Sequence, residues 1–275
     1  APNHKVDTIY FGGGTPSFLG ADALATILTA IRRSFDVTAD AEITFEANPG
    51  TLTEDKAKTF YDLGFNRVSL GLQSIHEKEM KKLGRIHDYS DFLHSYNLAR
   101  SFGIDNINVD LMYGIPEQTM ESFKDTLRSV CDRSPDHISL YGLIIEEGTP
   151  FYEAYADHPE LLPTEEEERA MYYETKAFLA SKGYERYEIS NYAKPGYECR
   201  HNLSYWERVD YLGLGLGAAS LLGNIRKSNQ TELSEYLKGN FSGEENILDE
   251  IAAMEEYFFL GLRKTKGVDW TPYKK

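Results

Sequence analysis

From Val6 to about Ile145, apolar runs of strand length alternate with stretches whose apolar residues recur at helical spacing. The strand-like runs lie at residues 6–11, 42–46, 67–72, 107–112 and 137–145. Between them, Leu24, Ile27, Leu28, Ile31 and Phe35 repeat with a helical period, as do Phe123, Leu127 and Val130. Thr53 and Thr119 stand where a helix N-cap is expected. Strands that alternate with helices predict a parallel sheet, because each return to the same sheet edge needs a long crossover. The fold class expected is therefore α/β.

After Thr149 the pattern changes. A long helix is predicted over 164–181, capped by Thr164, with Glu165 to Glu168 on its solvated first turn, where negative charge suits the helix dipole. Tyr- and Gly-rich sequence follows, including the runs 187–192 and 200–206. Glycines alternate through 212–219 with the wrong spacing for a dinucleotide fingerprint, and predict a tight strand that another segment or a flat ligand approaches closely. From Ile251, Met254, Tyr257, Phe258 and Leu262 share one helical face. Expected divisions are 1–150 as a partial barrel, 151–248 as its extension, and 249–275 as the start of a helical domain cut short.

Composition narrows the functional classes. Of 275 residues, 41% are hydrophobic and 27% charged, as in ordinary globular proteins. The net charge of −15 argues against a nucleic-acid partner, which needs concentrated Lys and Arg. No run is long enough to span a bilayer and no signal sequence opens the chain, so a cytoplasmic location is expected. The cysteines are Cys131, in a helical pattern as a small buried hydrophobe, and Cys199. Two thiols so far apart exclude a disulfide framework and a Cys-only metal or iron–sulfur site.

The candidate chemistry sits at strand ends. A glycine turn, Gly12-Gly13-Gly14-Thr15-Pro16, follows the first strand and lets backbone N–H groups approach an anionic or zwitterionic ligand. Glu46-Ala47-Asn48-Pro49-Gly50 follows the second, Gln73-Ser74 the third, and Asp110 lies in the fourth. In parallel α/β folds the carboxyl edge of the strands is the ligand end.

Taken in order, GGGTP, EANPG, RVSLGLQS, Arg85 and NVDLMYGIP resemble the radical S-adenosylmethionine (SAM) proteins of the oxygen-independent coproporphyrinogen oxidase group. The resemblance covers about residues 6–206 and continues more weakly to the end. It implies a partial (β/α)6 barrel that lacks its first strand, with a smaller C-terminal α+β region. It also implies that Gly13, Gly14 and Thr15 bind the amino end of the methionine moiety. Glu46, Gln73, Arg85 and Asp110 would hold the rest of the cofactor, with Arg85 on its carboxylate. Ile144 or a neighbour on the next strand would touch the adenine.

One departure matters. The family binds a [4Fe–4S] cluster through CxxxCxxC on its first barrel strand, and this chain opens on what resembles the second. The expectation is that the N-terminal segment is removed or missing, that the cluster belongs to the full-length protein only, and that this chain performs no reductive cleavage of SAM. No catalytic residue is assigned.

His201-Asn202-Leu203-Ser204-Tyr205-Trp206 resembles the HNxxYW of the HemW-type haem chaperones rather than the decarboxylating oxidases. A histidine beside aromatic rings supplies an axial imidazole and stacking surfaces, which makes His201, Asn202, Tyr205 and Trp206 the implied haem contacts. Implied partners are haem or porphyrin and haem-accepting apo-proteins, membrane-associated ones among them; a homodimer is left open. Two rival readings stand beside this one. One is an oxidase that decarboxylates porphyrinogen propionates. The other is a metal-independent barrel enzyme with Glu46 and Asp110 as its proton-transfer pair.

Overall fold

The computed structural model describes residues 5–273 and divides the chain into two compact units, the first ending at Glu198 and the second beginning at Cys199. In the first unit, β1 (Lys5–Phe11), β2 (Asp36–Ala47), β3 (Arg67–Gln73), β4 (Asn106–Tyr113) and β5 (His137–Gly142) pair in parallel and in chain order. The connecting segments carry α1 (Ala21–Ser34), α2 (Glu54–Asp62), α3 (Glu77–Lys82), α4 (Tyr89–Ser101) and α5 (Met120–Cys131). After β5 come α6 (Pro150–Tyr155), α7 (Glu165–Ser181), β6 (Glu185–Arg186) and β7 (Asn191–Ala193). β7 alone runs against the other strands of this sheet, between β5 and β6, and completes a seven-stranded half-barrel. The reversal from β6 into β7 needs no crossover helix, which is why the strand–helix alternation stops after β6.

The helices start where capping chemistry puts them. Thr53 accepts from the Lys56 N–H, and Thr119 and Thr164 form capping boxes with Ser122 and Glu167. On α5, Phe123, Leu127 and Val130 face the sheet and are buried, each contributing on the order of 1.5–3 kcal/mol. They join Val68, Leu70 and Leu72 of β3, Ile107, Val109 and Leu111 of β4, and Ile138 and Leu140 of β5 in one hydrophobic core.

The other face of the same strands is polar. Parallel register aligns Glu46, Ser69, Asn108 and His137 in one row across β2 to β5, and Gly71, Asp110 and Ser139 in the next. A parallel sheet covered on both sides reads as a continuous apolar run. Here one face packs on helices and the other is lined with hydrogen-bonding groups.

Three local expectations change. The fifth strand ends at Gly142, so Ile144 lies on the following loop, 76% exposed. Cys131 is partly rather than fully buried, with burial pushing its thiol up to about 12.

The third change falls in the second unit, which holds α8 (Arg200–Trp206), the antiparallel sheet of β8 (Ala219–Leu222), β9 (Ile225–Asn229) and β10 (Ser242–Ile247), α9 (Leu233–Leu237) and α10 (Glu250–Gly261). The glycine alternation is not a strand. Tyr211 and Leu221 form an isolated bridge around a turn, within which Gly215 and Gly217 adopt positive φ. The close approach is real at Gly213, where a Cβ would stand 2.2 Å from the Ala219 carbonyl oxygen. On α10 Ala253 is buried, Met254, Tyr257 and Phe258 are half-buried, and Leu262, just past the helix end, is 70% exposed.

Candidate functional site

The turn after β1 and the end of β2 are built as one piece. The Tyr10 hydroxyl donates to Glu46 Oε1 at 2.7 Å, and the Gly13 N–H donates to the same carboxylate. Gly12 is required by that contact rather than by a ligand: a Cβ there would lie 2.6 Å from Tyr10 Cε1 and 3.0 Å from Glu46 Oε1. Gly13 holds φ at 105°, and the space beside Gly13 and Gly14 is open. Those two positions keep the backbone approachable, as the glycine turn predicts.

Asn48 joins the turn to the next loops. Its Nδ2 donates to Thr15 Oγ1 at 3.0 Å and its Oδ1 accepts from Arg85 at 3.2 Å. A Cβ on Gly71 would fall 3.1 Å from Gln73 Nε2 and 3.3 Å from Asn48 Oδ1, so these two amides converge over a strand position left bare. Gln73 adopts φ of 65° at a register shift between β3 and β4, and its buried Oε1 has no hydrogen-bond partner among the described residues. This unfavourable conformation is held from behind. Ser74 Oγ donates to buried Glu79 at 2.6 Å, and Glu79 also accepts from Ser122 Oγ at 2.6 Å and Gln118 Nε2 at 3.1 Å.

Asp110 completes the rim. It accepts from Ser69 Oγ and from Asn108 Nδ2, each at 2.8 Å. Burial pushes its carboxyl above the usual range against the pull of its bonds to Ser69, Asn108 and Ser139. Glu46 is likewise raised, by burial first and by the Asp110 charge, while the Tyr10 hydroxyl and the Gly13 N–H pull it down. Burial weakens the hold of Arg85 on its proton, and the Asp110 charge opposes this. Two carboxylates, one guanidinium, approachable backbone and an unpartnered amide oxygen thus line one edge. Such a set recognises a ligand carrying both charges together with hydroxyl or amine donors.

Gly13, Thr15, Glu46, Gln73, Arg85 and Asp110 are thereby brought into one connected rim with Gly14. Ile144 takes no part in that network. Tyr10, Asn48, Ser69, Asn108 and Ser139 were not singled out by the motifs. The signal of Ser69, Asn108 and Ser139 is the strict alternation of Arg67-Val68-Ser69-Leu70-Gly71, Asn108-Val109-Asp110-Leu111 and His137-Ile138-Ser139-Leu140, which marks a polar face on strands that are otherwise core.

In the second unit the spacing of α8 sets His201 above Tyr205 and Asn202 above Trp206, each pair four residues apart. His201 Nε2 lies 3.0 Å from the Tyr205 hydroxyl, with the rings edge-on at 4.9 Å. Tyr205 meets Tyr211 edge-on at 4.7 Å, and the Arg226 guanidinium donates to the Tyr211 hydroxyl at 3.0 Å. Glu256 binds both Arg226, at 2.6 Å, and Arg208, at 2.8 Å. The Arg263 guanidinium stacks 4.3 Å above Trp206, whose buried Nε1 has no hydrogen-bond partner among the described residues. The motif is therefore an aromatic cluster with one imidazole, fixed by an ion-pair network.

Among the described residues no group of three His, Cys, Asp or Glu side chains is arranged to hold a metal ion. Cys131 closes α5 with a raised thiol, and Cys199 caps α8 through Sγ, accepting from the Asn202 N–H at 3.5 Å. These residues do not fit an iron–sulfur cluster. No helix among the described residues is long and apolar enough to cross a membrane.

The first unit is a mostly parallel half-barrel, and the Radical SAM superfamily matches residues 1–130. Coproporphyrinogen III oxidase (HemN) from Escherichia coli, a radical SAM enzyme, shares the fold with a TM-score of 0.83 at 26% identity, over 98% of this chain and 66% of its own. The haem chaperone HemW of Lactococcus lactis is 39% identical over 267 residues, 96% of this chain and 70% of that protein. The haem chaperone HemW of Escherichia coli is 42% identical over 263 residues, 94% of this chain and 68% of that protein. The chain belongs to the HemW haem chaperone family of radical SAM proteins. It spans about two thirds of the length of these relatives.

Proposed function

We propose that this chain binds haem through the second unit and hands it to apo-haemoproteins, while the rim of the first unit holds SAM. The observation that carries the haem assignment is His201, whose Nε2 lies 3.0 Å from the Tyr205 hydroxyl within the aromatic cluster of Tyr205, Tyr211 and Trp206. A neutral hydrogen bond of this kind is worth about 1 kcal/mol net, little beside axial ligation of an imidazole nitrogen. Asn202 and Trp206 flank the site from the neighbouring face of α8, with Tyr205 as the stacking surface.

At the rim, the residues suit SAM. Gly13, Gly14 and Thr15 would receive the amino end of its methionine, Arg85 its carboxylate, and Glu46, Gln73 and Asp110 its ammonium, hydroxyl and amide donors, with Ile144 the contact for adenine. The unpartnered Gln73 Oε1 and the open space beside Gly14 support this fit. SAM bound beside a cluster supplies radical chemistry in this superfamily. This chain's own residues bind and orient it. In this reading the cluster belongs to the full-length protein, which works in the cytoplasm and delivers haem to acceptors that include membrane-associated apo-proteins.

The second reading, decarboxylation of a porphyrinogen, draws on the HemN fold match. Haem-loaded full-length protein mixed with apomyoglobin separates the two. A chaperone transfers haem, seen as growth of the myoglobin Soret band, and leaves coproporphyrinogen untouched. Consumption of coproporphyrinogen without haem transfer overturns the proposal.

A further inference from the structure

Behind the rim lies a line of buried polar groups that ligand recognition does not itself use. His137 is fully buried, and its Nδ1 lies 2.6 Å from Asn108 Oδ1 while its Nε2 lies 2.7 Å from the Tyr187 hydroxyl. Asn108, equally enclosed, turns its nitrogen to Ser69 Oγ at 2.7 Å and to Asp110 Oδ1 at 2.8 Å. Register makes the row: Asn108 is opposite Ser69 on β3 and opposite His137 on β5.

The chemistry of the groups fixes each orientation. An ionised carboxylate only accepts, so the Asn108 nitrogen must face Asp110 and its oxygen must face His137. An amide oxygen only accepts, so His137 carries its proton on Nδ1. Burial and the nearby Arg67 charge hold the imidazole well below its ordinary pKa, which leaves Nε2 free of a proton and able to accept from Tyr187. Tyr187 donates to His137, His137 to Asn108, and Asn108 to Asp110. All three bonds point the same way, and each polarises the next. Ser139 Oγ lies 3.1 Å from Asn108 Oδ1 and also within reach of Asp110, and its single proton serves one of these acceptors at a time.

Resting on the reading of the rim as a SAM site, we propose that Tyr187, His137 and Asn108 are positioning residues. They form a one-way hydrogen-bond chain that aims the Asp110 carboxylate and leaves its remaining lone pairs for the donors of the bound nucleoside. A core that merely fills space has no need of a fixed donor direction, and Leu or Val would serve there. The alternating apolar residues of the same strands do that on the other face.

A double-mutant cycle on SAM affinity in the full-length holoprotein tests this, with Tyr187→Phe, Asp110→Asn and the pair. Tyr187→Phe removes one oxygen at the far end of the chain and keeps the ring. Its SAM dissociation constant should rise roughly threefold to tenfold, the range of one lost buried hydrogen bond acting at a distance. In the Asp110→Asn background the same change should have no further effect. His137→Gln, which retains one donor and one acceptor, should bind nearly as wild type, whereas His137→Leu should bind more weakly than Tyr187→Phe. Far-UV melting identifies any variant that fails to fold, and Tyr187→Phe, the mildest, decides the matter. An equal loss in both backgrounds, or no loss in either, overturns the chain and leaves the rim assignment standing. Failure of the wild-type holoprotein to bind SAM at all overturns the rim assignment, and this proposal with it.

Discussion

Arg85 donates to Asn48 Oδ1 at 3.2 Å, and through that one amide the loop after β3 is tied to the glycine turn after β1, whose Thr15 takes the Asn48 Nδ2 at 3.0 Å. Two segments that are separate in the sequence are thus one mechanical unit. Asn48→Ala should weaken SAM binding by about tenfold, since Thr15 and Arg85 both lose their fixed partner. Thermal stability should change little, because Asn48 is only half-buried. Isothermal titration alongside a melting curve measures both.

The glycines of the turn do different work. Gly12→Ala drives a methyl group into Tyr10 and Glu46 and should cost about 1–3 kcal/mol of stability, read as a lowered urea midpoint. Gly14→Ala meets open space and should leave the midpoint within about 0.5 kcal/mol. It should nonetheless impair SAM binding, because in the proposed reading the ligand occupies that space. A variant pair with the opposite assignment of losses contradicts this reading.

Much of this was legible beforehand and some was not. The strand–helix alternation, the parallel sheet it implies and the N-caps at Thr53, Thr119 and Thr164 follow from hydrophobic period and short-range capping chemistry, which are local. The reversal of direction at β7 and the turn through Leu212 to Ala218 were not legible, because they depend on pairing partners distant in sequence or on glycine conformations that a spacing cannot reveal. The rim proposed for SAM was half visible. Glu46, Gln73 and Asp110 announce themselves at strand ends, whereas Tyr10, Asn48 and Asn108 matter through what they hold. The trace of Tyr10 and Asn108 is the polar half of a strand, which reads as solvent-facing until the parallel register closes it into a half-barrel; Asn48, on the loop after β2, leaves no such trace.

Burial makes the Asp110 charge costly. Its carboxyl is raised above the ordinary 3.8, so the folded protein holds this proton more tightly than the unfolded chain does. The resulting stabilisation is fully present below about pH 3.8 and is lost as pH rises through the higher folded value. Relative to Asp110→Asn, wild type should therefore lose stability as pH rises from the acid range towards neutrality, while the variant loses SAM affinity. Urea unfolding of both proteins across that range measures the slope. A difference that grows in favour of wild type with rising pH contradicts the assignment.

Tyr205 holds the nitrogen that haem would need. Tyr205→Phe keeps the stacked ring and removes the hydroxyl 3.0 Å from His201 Nε2. Haem affinity should rise by roughly threefold to tenfold, since the bond to the Tyr205 hydroxyl no longer competes with ligation. Weaker binding in this variant would mean that the hydroxyl contacts haem or that ligation uses another atom.

The central claim is that His201 makes this chain a haem binder. Titration of haem into wild type and His201→Ala, followed by Soret absorbance, tests it most directly. The account predicts a saturable, shifted Soret band in wild type that His201→Ala lacks, with both proteins showing the same far-UV spectrum. Equal Soret titrations in the two proteins, or none in either, contradict it.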